Sequence, residues 1–575
     1  MRFLLLALLS SLFMHAEVLH AAEADLILHS GKIVTVDRAF SIQQAVAIGG
    51  GKLLQVGSND AVLKLKGAGT EVIDLQGKTV IPGLIDSHVH PAAASLTEFD
   101  HDIPTMEKIQ DVLDYIAARA KVLPTGKWIH LQQVFITRLK EQRYPTRAEM
   151  DRVAPEHPVL FRTGPDASLN SLALKLSAID RNFKVSDGGP GFIEKDSAGE
   201  PTGILRNCTR FVKVESTARV PTDEEKRQRL RELFKDYNAV GLTAIGDRDT
   251  GVAALELYRE LRKRGELTLR VAASASVPYI GSIEQIQERI RTIAVDTLFK
   301  ERDEWLRIIG IKTYLDGGML TGSAYMREPW GLSKTYSITD PAYRGVLFIP
   351  PEKLSAMVRT TVEAKLQFTA HAQGDGAVQT LLETYESLAK ELPVRETRPC
   401  VTHASFQSKE AIELAAKIGA VMDIQPAWLY LDASTLVGHF GYERLRYFVP
   451  LKSHFDAGVI VGGGSDHMQK IGSLRAINLY NPFLGMATAI TRRARWYEGR
   501  LHPEESLTRE QALRFYTINN AYLLFSEDRI GSLEPGKLAD LVVLDRDLLT
   551  CPEDDIAATK VLRTYIAGKL IYSAP

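Results

Sequence analysis

Two histidines, His88 and His90, stand at the end of the apolar run Leu84-Ile85-Asp86-Ser87-His88-Val89-His90. Side chains two apart on a strand share a face, and imidazole nitrogens suit a borderline cation such as Zn²⁺. Three further apolar runs end in residues of the same kind. His371 closes Thr369-Ala370-His371, His403 closes Val401-Thr402-His403, and Asp466 follows Gly464-Ser465. Taken singly, any of these histidines could be a satisfied packing residue. Four of the chain's 14 histidines, all at the ends of strand-like runs and joined by an aspartate, form the pattern of a divalent-metal site.

Such a set needs a frame that brings distant strand ends to one place. The middle of the chain alternates apolar runs with amphipathic stretches, the mark of βα units and a parallel sheet. Eight strands are predicted, over 83–90, 242–247, 267–276, 307–315, 366–371, 399–403, 419–424 and 458–465. Helices are predicted over 282–295, 351–366, 374–392 and 408–418. Another opens at the capping box Thr222-Asp-Glu-Glu225 and ends before Gly241. The fold class expected is α/β, a (β/α)8 TIM-like barrel over about 82–525, with its functional side chains at the C-terminal ends of the strands. Residues 91 to about 220 break the repeat and read as an insertion roofing the site, with strands near 128–134 and 158–163. Both chain ends (25–81 and 526–575) carry short strands with glycine turns, and one small β-sandwich built from the two is expected.

Composition narrows the function. In 575 residues, 70 basic against 71 acidic side chains leave a net charge of −1, which offers nothing to nucleic acid. Met1-Arg2, the apolar run Phe3 to Phe13 and the small-x-small Ala22-Glu23-Ala24 have the anatomy of a secretory signal peptide. Residues 1–24 are therefore expected to be removed, the protein exported to a periplasm or secreted, and no membrane contact to remain. Three widely spaced cysteines, Cys208, Cys400 and Cys551, form no C-x-x-C pair. A serine-hydrolase elbow, a zincin His-Glu-x-x-His and a phosphate-binding P-loop are all missing. A small molecule is the expected partner, and a homo-oligomer is left open.

The motifs resemble those of the amidohydrolase superfamily of metal-dependent hydrolases. Within it they are similar to the YtcJ-like branch (amidohydrolase family 3), which includes N-substituted formamide deformylase. Carrying the resemblance are Pro82-Gly-Leu-Ile-Asp86 through His90-Pro91, Ile311-Lys-Thr-Tyr-Leu-Asp-Gly-Gly318, His371-Ala-Gln-Gly-Asp375, Gly464-Ser-Asp466 and Pro535-Gly-Lys-Leu-Ala-Asp-Leu-Val542. It implies that His88 and His90 hold one metal, that His371 and His403 hold a second, and that Lys312 is carboxylated and bridges two Zn²⁺ ions. It also implies that Asp466 touches metal and acts as general base and then acid, while a hydroxide shared by the ions attacks an amide carbonyl. An amide C–N hydrolase is thus expected, with a lactonase or other ester hydrolase on the same site as the alternative and a catalytically silent binding protein as the competitor from another class. Arg162, Asp316 and His467 are candidate substrate contacts, and Asp247, Gln425 and Trp428 also fall near strand ends. The chain departs from the branch at Gly164-Pro165, where relatives often have Asp-Gly-His, and after Pro201-Thr-Gly203, where a glutamate is often found. Both departures fall in the insertion, so the resemblance does not carry a substrate across.

Overall fold

Eight strands form one sheet in the order in which they follow each other along the chain: Leu84–Val89, Leu242–Thr250, Arg270–Ser276, Leu306–Tyr314, Gln367–Ala372, Cys400–His403, Val421–Ile424 and Val461–Gly463. Every pairing is parallel. The structure is a computed structural model that describes residues 23–132, 134–189, 191–215 and 219–575. Apart from Glu23 and Ala24, the expected signal peptide lies outside these residues, and Ala24 already opens a strand.

The strands are buried on both faces and rich in Ile, Val, Ala and Leu, as a parallel sheet covered by helices requires. The covering helices include Asp223–Ala239, Ile283–Ala294, Pro351–Glu363, Asp375–Leu388 and Lys409–Ile418. Thr222 and Ser282 start two of them through reciprocal capping boxes, and Ser408 caps the last.

The eighth strand meets the first and nearly closes a TIM-like barrel. Asn520 donates from Nδ2 to the carbonyls of Ile85 (2.5 Å) and Gly463 (2.7 Å), tying the two strands at one end. At the other end the Asp466 amide donates to the His88 carbonyl at 2.8 Å, and the His90 amide to the His467 carbonyl at 2.8 Å. Gly464 is needed at this seam: a Cβ there would stand 2.8 Å from the His88 Cβ.

Between the first and second barrel strands lies a five-stranded sheet, ordered Phe192–Lys195, Pro201–Arg206, Asp166–Leu169, Val159–Thr163, Ile129–Gln132. The chain ends contribute two more sheets. One has four strands between Ala24 and Asp74. The other has six and mixes Lys32–Val34, Ile42–Gln43 and Thr79–Pro82 with Leu541–Leu544, Val561–Ile566 and Lys569–Ser573. They share an apolar layer that includes Leu28, Val46, Val80, Leu541, Val543 and Tyr565.

Candidate metal centre and its cavity

His88, His90 and Asp466 meet at the C-terminal mouth of the barrel, with ligand atoms all within 4.8 Å of one another. His88 Nε2 lies 3.2 Å from His90 Nε2 and 3.5 Å from Asp466 Oδ1, and His90 Nε2 lies 3.2 Å from the same oxygen. Elements far apart in the chain hold them there. His88 ends the first strand, while Asp466 follows the eighth with its backbone in the left-handed region (φ 54°). His403 too is left-handed (φ 74°), at the end of the sixth. Non-glycine residues are uncommon in that region and cluster at functional sites.

Second partners orient the rings. His88 Nδ1 is 3.0 Å from Asp423 Oδ2, so a donated Nδ1–H leaves the Nε2 lone pair for the cluster. Asp423 is itself held by the Ser87 hydroxyl at 2.7 Å and by Gln425 Nε2 at 3.1 Å. His403 Nδ1 bonds Gln425 Oε1 at 2.8 Å, and its ring stacks on Trp428 with centroids 4.6 Å apart. The His403 ring also lies 4.5 Å from that of His371 and 4.8 Å from that of His88. His371 Nε2 faces the Gly317 carbonyl at 3.3 Å.

Burial sets the charge states. It pushes the His88 and His403 pKa values well below the usual histidine range and that of His371 down to about 3, so all three are neutral with a free lone pair. For His90, burial pulls downward, but the hydrogen-bonded Asp466 carboxylate outweighs it and the net shift is upward. The Asp466 carboxyl is raised, chiefly by burial. Two imidazole nitrogens and one carboxylate oxygen make a donor set that fits a borderline divalent cation. Lys312 is 1% exposed, and its ammonium has no hydrogen bond or ion pair among the described residues and lies 5.3 Å over the Tyr314 ring. Burial pushes its pKa down to about 8. As an amine it has no anionic oxygen to share with a cation, whereas a carbamate would have two.

These groups line one cavity of about 1520 Å³, walled by the barrel mouth and the inserted sheet. His88, His90, Lys312, His371, His403 and Asp466 all face it, and so do Arg162, Asp247 and Trp428. Of the proposed substrate contacts, Asp316 lines the cavity but engages both oxygens with backbone amides, of Gln373 at 3.0 Å and of Gly374 and Tyr325 at 2.9 Å. His467 does not line it. Its Nδ1 meets the Tyr237 hydroxyl at 2.6 Å and its Nε2 faces the carbonyls of Lys470 (2.7 Å) and Gln469 (3.0 Å). With both ring nitrogens so engaged, His467 pins the loop after Asp466. Asp423 went unseen in the sequence, although an aspartate inside the apolar run Val421-Met-Asp-Ile424 was a signal for it. Asn478, which donates to the Asp466 carbonyl at 2.6 Å, had no such signal.

The fold and this mouth define a class: an α/β barrel with a cluster able to hold a metal ion at the ends of its strands. Residues 71–572 match the family model described as "Amidohydrolase family", and the chain belongs to that family. It is 29% identical over 561 residues to N-substituted formamide deformylase of Arthrobacter pascens, covering 95% of this chain and 98% of that one. It is 25% identical over 554 residues to the amidohydrolase YtcJ of Bacillus subtilis, covering 95% and 99%. Among solved structures, an uncharacterized metal-dependent hydrolase from Pyrococcus horikoshii shares the fold, with TM-score 0.66 at 21% identity, covering 92% of this chain and 99% of that one.

Proposed function

We propose that the protein hydrolyses a carbon–nitrogen bond, other than a peptide bond, in a small amide, with divalent metal held at the barrel mouth. The observation that carries this reading is the convergence of His88, His90 and Asp466 on a cavity wall shared with Lys312, His371 and His403. The first three would hold one cation. His371 and His403 would hold a second, with Lys312 as a bridging carbamate. The unpaired burial of Lys312 supports that modification, since a buried ammonium without a partner costs several kcal/mol. Zinc or a similar ion bound there supplies a water ligand of lowered pKa and polarises a carbonyl oxygen.

The chain's own residues supply position and proton transfer. Asp423 and Gln425 fix the His88 and His403 rings through their outer nitrogens. Asn478 holds the Asp466 backbone in its left-handed turn. The Asp466 carboxylate takes a proton from the attacking water and returns it to the departing nitrogen, a role its upward shift by burial suits. Phe99, Trp128, Phe135, Trp428 and Met468 line part of the cavity with apolar surface. The two terminal sheets, read as one sandwich, brace the barrel from outside. The apolar run at residues 3–13, with the small residues before Asp25, supports reading the enzyme as exported, periplasmic or secreted.

The test is metal-stripped protein reconstituted with Zn²⁺ and assayed on N-formyl, N-acyl and cyclic amides beside lactones, with His403→Ala as control. The relative named for formamide deformylation puts N-formyl amides first in the panel. Metal-dependent amide turnover that collapses in the control is expected. Less than one tightly held ion per chain, or undiminished turnover in the control, overturns the reading. Lactones turned over ahead of every amide would move the reaction to ester hydrolysis.

A further inference from the structure

The cavity wall carries seven lysines and arginines among its described residues, and their pairing is uneven. Arg119, Arg210, Arg219, Lys226 and Arg227 each face a carboxylate: Asp100, Asp187, Glu225, Asp223 and Glu224 respectively. Lys312 is accounted for by the metal centre. Arg162 is the remaining cation, and it has no carboxylate partner among the described residues.

Its position is built rather than incidental. Arg162 lies on the inserted strand Val159–Thr163, which pairs in parallel with Ile129–Gln132, in the register Arg162 opposite Gln132 and Leu160 opposite His130. Alternation along the two strands therefore puts Arg162, Gln132 and His130 on one face, and all three line the cavity. Arg162 Nε donates to the Gly164 carbonyl at 3.1 Å, which fixes the plane of the guanidinium. The two terminal nitrogens are left without a partner in the described structure, although they are the pair that binds a carboxylate two-pronged. His130 adds a second mark of a ligand. Its Nδ1 lies 3.4 Å from Gln132 Nε2, while its buried Nε2 has no hydrogen-bond partner. Buried polar atoms are nearly always satisfied, so an orphan on a cavity wall points to a bound group. Arg162 is also within electrostatic reach of Tyr314, whose ring stands beside Lys312 and His371. A cavity of about 1520 Å³ has room for a substrate that spans from the metal mouth to this roof.

We propose that the substrate is an amide carrying a carboxylate remote from the scissile bond, and that Arg162, assisted by His130 and Gln132, is the residue that selects for that carboxylate. The inference rests on the amide-hydrolase reading for the chemistry and on the unpaired roof arginine for the substrate class. A neutral amide would leave the guanidinium's terminal nitrogens to water, whereas a carboxylate gains two charge-assisted bonds there.

The experiment compares N-acyl and N-formyl derivatives of ω-amino acids of graded length, and of α-amino acids of both hands, with their neutral C-terminal amides, matched in every other respect. Equilibrium binding to the metal-loaded enzyme is measured by calorimetry and turnover by steady-state kinetics. The wild type is expected to bind and turn over the acids in preference to the neutral partners. In Arg162→Gln the acid-over-neutral preference in Kd and KM should fall by about 10- to 100-fold, with Arg162→Lys intermediate and kcat much less affected than KM. An acid preference in Kd without hydrolysis of any amide would defeat the amide-hydrolase reading while sustaining the carboxylate site. Equal binding of acid and neutral partners by the wild type, no binding of any acid, or a preference that survives Arg162→Gln in folded protein overturns the proposal.

Discussion

At the scale of single residues, two carboxylates in one site are given different work by what they touch. Asp466 faces the histidine nitrogens and the cavity, and Asp423 faces the back of the His88 ring. Asp466→Asn keeps an oxygen near the metal but cannot accept a proton. Its kcat should fall by about 10²–10⁴-fold, with metal still bound by elemental analysis, and normal turnover would remove Asp466 from the proton path. Asp423→Asn should instead act on the metal, because the His88 ring loses the anion that orients it. Affinity about 10- to 100-fold weaker is expected, read by competition with a chelator, and an unchanged affinity would show that the ring needs no such support. The contrast explains which residues were legible in the sequence. His88, His90, His371, His403 and Asp466 end strand-like runs, so position alone marked them. Asp423 stands out as a charge inside an apolar run, but its partner His88 lies 335 residues away, and the local pattern does not name that partner. His467 and Asp316 had the right residue type and place, but their polar atoms are already engaged by neighbouring hydroxyl, carbonyl and amide groups.

At the scale of elements, hydrophobic periodicity was enough for the barrel strands and five of the helices around them, but not for Val252–Lys263 or Pro426–Phe440, and turn chemistry mattered where it failed. The inserted sheet hides three of its five strands. Pro201 opens the strand Pro201–Arg206, and Gly203 within it has φ of 105°, both of which read as loop although the strand lies between two others. A neighbouring helix, Arg147–Val153, shows how local chemistry sets an element. Thr146 and Glu149 form a capping box, and Arg143 grips Glu149 with two bonds of 2.7 and 2.8 Å. Those arginine bonds, more than the opposing burial, hold the Glu149 pKa down to about 2 against an ordinary 4.5. A folded-state pKa below the unfolded one stabilises the fold above about pH 4.5, and the gain is lost as pH falls through about 2. The urea midpoint of Glu149→Gln should therefore lie below that of the wild type at pH 6, with the gap closing by pH 2. A gap that stays constant with pH would assign the effect to packing. At the seam between the eighth and first strands, Gly464→Ala puts a methyl 2.8 Å from the His88 Cβ. The strands must part, so weaker metal binding is expected with near-native circular dichroism.

At the scale of the whole molecule, the question is how the terminal sheets are joined to a barrel that carries the chemistry. The third barrel strand begins at Arg270, whose guanidinium meets Asp540 in two bonds of 2.7 and 2.9 Å, with both residues buried. Asp540 also accepts from the Ala567 amide at 2.8 Å, so one carboxylate ties the barrel floor to the C-terminal turn. Nearby, Leu541–Leu544 pairs with Thr79–Pro82, the strand that runs directly into the His88 strand. Buried ion pairs add little net stability over a well-packed apolar pair, because desolvation nearly cancels the attraction, whereas removing one partner leaves a naked charge and costs about 3–5 kcal/mol. Asp540→Ala should thus be strongly destabilised in urea, and the double variant Arg270→Met with Asp540→Leu should recover most of the loss. Metal affinity, measured on the folded fraction, should stay near the wild-type value in the double variant, since the contact lies at the opposite end of the strands from His88. If instead the double variant is no better than the single one, the join depends on the Ala567 amide and the charge itself. The terminal sheets would then position the first strand through Asp540 rather than merely cover it, and metal affinity in the double variant should fall along with stability.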